Sequence, residues 1–166
     1  MKALRKRLEA GDDSELLVWV LPGRLACAQR PLRHHPLYAG SGALIPAQAT
    51  PLVFEWAEAV RAAGIVSIIS FMHDRDRGCY AELALEAEDI LQFYEKQGFK
   101  VARLPWEDPH HSKADVDTKQ KKLEQCRVAA LGAFDRLAKP VLLQCSAGID
   151  RSAPAAAYIW QNRSAA

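Results

Sequence analysis

Near the end of the 166-residue chain, Cys145 is followed by five residues and then Arg151, in the run Cys145-Ser146-Ala147-Gly148-Ile149-Asp150-Arg151-Ser152. These residue types at this spacing suit a thiolate nucleophile placed beside an anion site. An apolar run, Val141-Leu142-Leu143-Gln144, leads into the cysteine, so the segment reads as strand, tight loop and helix start. Backbone N–H groups of such a loop point inward, and the N-terminus of the following helix adds partial positive charge. A guanidinium at the last loop position offers a planar fork matched to two oxygens of a phosphate. Helix N-termini and neighbouring guanidiniums favour thiolate over thiol. Gly148 lets the backbone turn where a side chain would intrude on the anion. The segment reads as a phosphate trap with a nucleophile at its base.

A strand must deliver that cysteine, and the rest of the chain supplies a sheet around it. Residues 16–21 form a short apolar run ended by Pro22-Gly23, and residues 25–28 continue it after the turn. Residues 30–50 carry Pro31, Pro36, Gly40, Gly42 and Pro46 and read as a long irregular loop. Pro51 suits a helix start, with Leu52, Phe54, Trp56, Ala59, Val60 and Ala63 as its apolar face before Gly64. Residues 65–71 are a β-branched run typical of a strand buried on both faces. Residues 73–78 are a charged loop. Residues 80–97 read as a helix closed by Gly98, with Leu83, Leu85, Ala87, Ile90, Leu91 and Tyr94 on its apolar side. Another strand over 99–104 stops at Pro105, and a polar loop spans 107–117. A long helix over about 118–138 turns Leu123, Val128, Leu131, Phe134 and Leu137 inward, until Lys139-Pro140 breaks it. Strands alternating with helices predict an α/β fold: a central, mostly parallel sheet of four to five strands flanked by helices in three layers. One domain over 1–166 is expected, with 1–15 as an N-terminal extension. Cys145 falls at the carboxyl end of its strand, where ligands sit in open α/β sheets.

Composition narrows the partners. An apolar fraction of 49%, a charged fraction of 25% and a net charge of +2 make no case for nucleic acid. Lys2, Arg5, Lys6 and Arg7 read as a solvated helix end. No apolar run reaches the ~18 residues of a membrane span, and no signal-peptide core follows Met1. Cys27, Cys79, Cys126 and Cys145 lack CxxC spacing, which points to reduced thiols in a cytoplasmic protein. Cys27, Cys79 and Cys126 read as small buried hydrophobes. The pairs His34-His35 and His110-His111 are expected in solvent, and His73 with Asp74 and Asp76 lacks a third ligand at suitable spacing. No metal and no cofactor is expected.

The run Gln144-Cys145-Ser146-Ala147-Gly148-Ile149-Asp150-Arg151-Ser152 resembles the signature loop of the cysteine-based protein tyrosine phosphatases, especially their small dual-specificity-like members. That signature is His-Cys, five variable residues, Arg, then Ser or Thr, and the match fails only at Gln144. The resemblance extends over about residues 16–163, through Trp19-Val20-Leu21-Pro22-Gly23-Arg24-Leu25-Ala26, Gly64-Ile65-Val66-Ser67-Ile68-Ile69-Ser70 and Leu104-Pro105-Trp106-Glu107-Asp108. It implies a metal-independent phosphomonoester hydrolase acting on a phosphorylated protein or small phosphomonoester.

On that resemblance Cys145 is the nucleophile, forming a cysteinyl-phosphate. Arg151 and the backbone of Ser146, Ala147, Gly148, Ile149 and Asp150 bind the phosphate. Asp108 is the favoured general acid, with Glu107, Asp115 and Asp117 on the same loop, the last two reading as helix caps. Ser152 would hydrogen-bond the sulfur, or cap the next helix. Asp150 would face solvent or pair with a basic side chain. Trp106 suits either a cleft wall or core packing.

Two departures from the signature matter. Gln144 replaces a histidine with an uncharged amide, and the family's two further helices have no counterpart before Ala166. A non-catalytic phosphate-binding scaffold is therefore the alternative expectation, with sulfur transfer a further one. Ile159 and Trp160 are expected to be exposed, or covered by residues 1–15 or by a second copy in a homodimer.

Overall fold

The computed structural model describes residues 1–164. Five strands form one sheet: β1 (Leu17–Leu21), β2 (Leu25–Gln29), β3 (Ser67–Ser70), β4 (Lys100–Arg103) and β5 (Val141–Cys145). Their order across the sheet is β1-β2-β5-β3-β4, with β1 antiparallel to β2 and every other neighbouring pair parallel. The predicted α/β class and its mostly parallel sheet are what the chain forms. Residues 25–28 do not simply extend the first strand: Pro22-Gly23 turns the chain back, so that Leu17 lies opposite Ala28 in a hairpin.

β5 is central and all five of its residues are buried. Alternation along the strands divides the interior into two cores, as a sheet covered on both faces requires. Ala26, Ala28, Ile68 and Leu142 face one core, with α2 (Thr50–Ala62) and α4 (Ile90–Lys96) over it. Cys27, Ile69, Leu143 and Cys145 face the other, under α5 (Val116–Arg136) and α6 (Ser152–Arg163). Among the described residues, no helix is long and apolar enough to cross a membrane.

Several predicted elements need correction. The helix predicted over 80–97 is helical only from Ile90; Asp89 caps it by accepting from Gln92 N–H at 2.8 Å. Upstream, Glu86 takes φ +52, outside right-handed helix. Leu83 and Ala87 pack against the core from non-helical backbone, and their spacing of four, continued by Ile90, Leu91 and Tyr94, mimics a helical stripe. Conversely, the charged run contains a short helix, α3 (Asp74–Gly78), begun where the Asp76 carboxylate accepts from His73 N–H. On α5 the buried residues are Cys126, Ala130, Ala133 and Phe134, while Val128 is exposed. Small side chains let that face lie close to α6, which a search for bulky residues overlooks. Asp115 caps α5 by accepting from Thr118 N–H at 2.8 Å.

The N-terminal segment forms α1 (Lys2–Glu9), whose Leu4 is buried, with Met1 packed against the core that contains Cys145. Its basic side chains are paired outward, Arg5 with Glu9 and Arg7 with Asp12 and Glu15. On α6, Ile159 is buried and Trp160 is 49% exposed.

Candidate active site

β5 ends in Cys145, and the loop to α6 carries residues 146–151 around a tight reversal. Gly148 sits at φ +73, and a Cβ built there would lie 2.9 Å from the Ala28 carbonyl oxygen of β2. That oxygen belongs to a core strand and cannot give way, so both the backbone angle and the space require glycine. The Gly148 N–H points at the Cys145 sulfur at 3.2 Å. Replacement of Gly148 by alanine should therefore cost about 1–3 kcal/mol of stability and displace the loop. Urea denaturation, with the Gly132→Ala variant as a control, would measure it; equal midpoints for Gly148→Ala and wild type would refute the constraint.

Arg151, last in the loop, is 1% exposed. Asp76 of α3 grips the end of its guanidinium: Nη1 donates to Oδ2 at 2.6 Å and Nη2 to Oδ1 at 3.2 Å. Nη1 also donates to the carbonyls of Phe71 at 3.2 Å and Trp106 at 2.9 Å. Nε has no partner among the described residues. The N–H of Nε and the second N–H of Nη2 lie parallel along one edge of a guanidinium, so the groups left over form a two-donor edge. Asp76 was not singled out in the sequence as a site residue, because its charged run reads as solvent-facing. Its only signal there is an acid beside a basic cluster near the end of a core strand.

Burial pushes the Asp76 carboxyl up, but the hydrogen bonds and charge of Arg151 outweigh this and hold it below the usual carboxylate range. A depressed acid stabilises the fold above its unfolded pKa, about 4, and that contribution fades as pH falls through the lower folded value. Asp76→Asn should thus cost ~2 kcal/mol near neutrality, less than a wholly buried pair would. The difference in urea midpoint from wild type should shrink as pH drops toward 4 and below. A gap that is constant with pH would mean that the charge of Asp76 contributes nothing.

Asp108 lies on the loop after β4, with Oδ2 3.8 Å from Arg151 Nη2 and Oδ1 accepting from His110 N–H at 2.9 Å. Its carboxylate stands beside the free guanidinium edge. Glu107 is exposed, and Asp115 and Asp117 belong to the start of α5. Asp150 turns outward, 3.2 Å from His110 Nε2, so the loop bearing Asp108 is tied to the loop between β5 and α6. Asp108, His110 and Asp150 bring one ligand atom each within 4.8 Å of one another, a grouping that could receive a cation at the rim.

Ser152 is the first residue of α6, and Arg151 occupies the cap position. The Ser152 hydroxyl is buried with no partner among the described residues, so neither the cap nor a bond to sulfur is made. Ser146 is buried, and its hydroxyl accepts from Arg33 Nε at 3.2 Å and Arg30 Nε at 3.4 Å. Ala147, Ile149 and Asp150 complete the loop. Gln144 projects to the opposite face of the sheet from Cys145, where its Nε2 makes a long 3.5 Å bond to the Gln29 carbonyl. It does not orient the sulfur.

Trp106 is a core residue, edge-on to Phe71, and the backbone carbonyls of both accept from Arg151. Burial, with Cys145 nearby, pushes the Cys27 thiol up to about 12, so it is no second nucleophile near neutral pH. Cys79 and Cys126 are buried too. Contrary to the solvated role expected from sequence, His34 is buried, whereas His110 is exposed.

No protein-family model matches the chain, and no curated protein matches its sequence. Among solved structures, one described as the crystal structure of Tk-PTP in the active form is similar at 19% identity and a TM-score of 0.44. The similarity covers 89% of this chain and 74% of that one.

Proposed function

We propose that this chain is a phosphomonoester hydrolase of the protein tyrosine phosphatase or dual-specificity type, acting through a cysteinyl-phosphate. The observation that carries the reading is the buried Arg151 guanidinium. Its far end is fixed by Asp76 and two carbonyls, and its Nε makes no hydrogen bond among the described residues, with Cys145 and Asp108 nearby. A buried cation whose Nε edge makes no hydrogen bond among the described residues offers two donors to two oxygens of a tetrahedral anion.

In this reading the Cys145 thiolate attacks phosphorus and the bond to the leaving oxygen breaks. Asp108 gives its proton to that oxygen. Asp108 then takes a proton from the water that attacks the phosphorylated sulfur, releasing phosphate and restoring the thiolate. Arg151 and the loop N–H groups stabilise charge on the equatorial oxygens in both steps. The nucleophile belongs to the chain, so the chemistry requires no metal.

Leaving groups separate the role of Asp108 from its contacts. Asp108→Asn should slow phenyl phosphate by about 10²–10⁴-fold and p-nitrophenyl phosphate far less, since p-nitrophenolate departs without a proton. Equal slowing of both substrates would move the acid elsewhere. Wild-type protein that binds phosphate but turns over neither substrate would make this a phosphate-binding scaffold instead.

A further inference from the structure

A cavity of about 290 Å³ lies beside the phosphate loop, between the segment after β2 and one face of α2. None of residues 145–151 lines it, so it is separate from the candidate active site. Arg30 and Arg33 both line it and both donate to Ser146 Oγ, forming the wall between the two. The other two guanidinium nitrogens of Arg30 donate to the Tyr80 hydroxyl and the Gly40 carbonyl. Neither arginine has a carboxylate within ion-pair distance among the described residues, but Arg33 is the less buried of the two, and of the side chains only Ser146 and His34 engage it.

The other polar groups of the wall are similarly underused. His34 is 3% exposed, and Arg33 Nη1 lies 3.4 Å from its Nδ1. Arginine can only donate, which makes Nδ1 the acceptor and leaves the ring proton on Nε2. Glu9 Oε1, 3.5 Å from the same Nδ1, is held by Arg5 at 2.8 Å. Nε2 is buried with no partner among the described residues. Burial, then the neighbouring Arg33 and Arg5, lower this imidazole to about 4, so it is neutral at pH 7. Gln29, also on the wall and 3% exposed, has neither side-chain amide atom paired among the described residues. Opposite stand apolar surfaces from Leu52 and Trp56 of α2. Such a concave apolar space with a few convergent polar groups is the usual form of a small-molecule site.

We propose that this cavity binds a small organic monoanion: a carboxylate on Arg33, with the body, about one or two rings in size, against Leu52 and Trp56. A carboxylate suits it better than a dianionic phosphate because Asp13 and Glu55, exposed at the rim, oppose added negative charge. His34 Nε2–H and the Gln29 amide supply further hydrogen bonds. The site stands independently of the hydrolase reading.

The test is an amide-resolved NMR titration of the full chain with 2-naphthoate, with orthovanadate present to hold the phosphate loop. Saturable shifts are expected around residues 29–36 and 52–59, with a dissociation constant below about 1 mM. The neutral isostere 2-naphthylmethanol should bind at least ~10-fold more weakly. Arg33→Gln should erase that preference, and Leu52→Trp should block both compounds. Three results would each overturn the proposal: equal binding of acid and alcohol, shifts confined to 145–152, or no saturable shift up to about 5 mM, which would mean a water-filled cavity. The comparison of acid with alcohol on wild-type protein decides the matter even if a variant fails to fold.

Discussion

Cys145→Ser should release no measurable phosphate from p-nitrophenyl phosphate while still binding phosphate or vanadate at the loop. A serine hydroxyl keeps the size of the side chain and the approach of the Gly148 N–H, but it is not ionised at neutral pH. Loss of a nucleophile of this kind costs about 10⁴-fold or more in kcat, and what remains reflects anion binding alone. The fold should be unaffected, since Cys145 lies in a β5 strand whose neighbours Leu143 and Gln144 hold the ladder. Turnover within tenfold of wild type, in protein confirmed to carry the substitution, would exclude a cysteinyl-phosphate.

Arg151→Lys should lose most activity although the charge is kept. The guanidinium serves four acceptor atoms at its inner end and still presents a free edge. An ammonium has three N–H donors, and Asp76 with the Phe71 and Trp106 carbonyls would occupy all of them. Nothing would remain for the substrate's oxygens. Removing one such transition-state contact typically costs about 10²–10³-fold, and the loss here should fall mainly on kcat, because the missing contact strengthens as charge develops. Steady-state kinetics on p-nitrophenyl phosphate, with near-ultraviolet circular dichroism as the folding check, reads both. A variant with near wild-type kcat/KM and an intact fold would remove Arg151 from the chemistry.

The two residues these experiments target were legible because their relation is local. Cys145, Gly148 and Arg151 fall within one strand–loop–helix unit, where spacing and a required positive φ are written in neighbouring positions. The sheet was legible for a similar reason: apolar runs such as 65–71 and 141–144, separated by amphipathic stretches, leave few arrangements other than a parallel sheet covered on both sides. Residues 80–89 misled because irregular backbone packs Leu83 and Ala87 on the core at an interval that a helix would also give. α5 misled because Ala130 and Ala133 bury little area yet set how closely two helices approach.

By itself, then, the sequence determined an α/β chain with a central strand ending in a thiol, a glycine-dependent loop after it, and an arginine at that loop's end. Only the tertiary structure decided what holds the arginine and which of its donors stay free. Asp76 comes from 75 positions away, in a run whose charges look solvated until β3 and β5 are paired. The same holds for the approach of Asp108 to that arginine, for His34 in the interior, and for Arg33 standing between loop and cavity. Contacts across such distances in the chain arise from strand order and crossover. No local periodicity encodes which charged side chain a crossover will bring to a buried guanidinium.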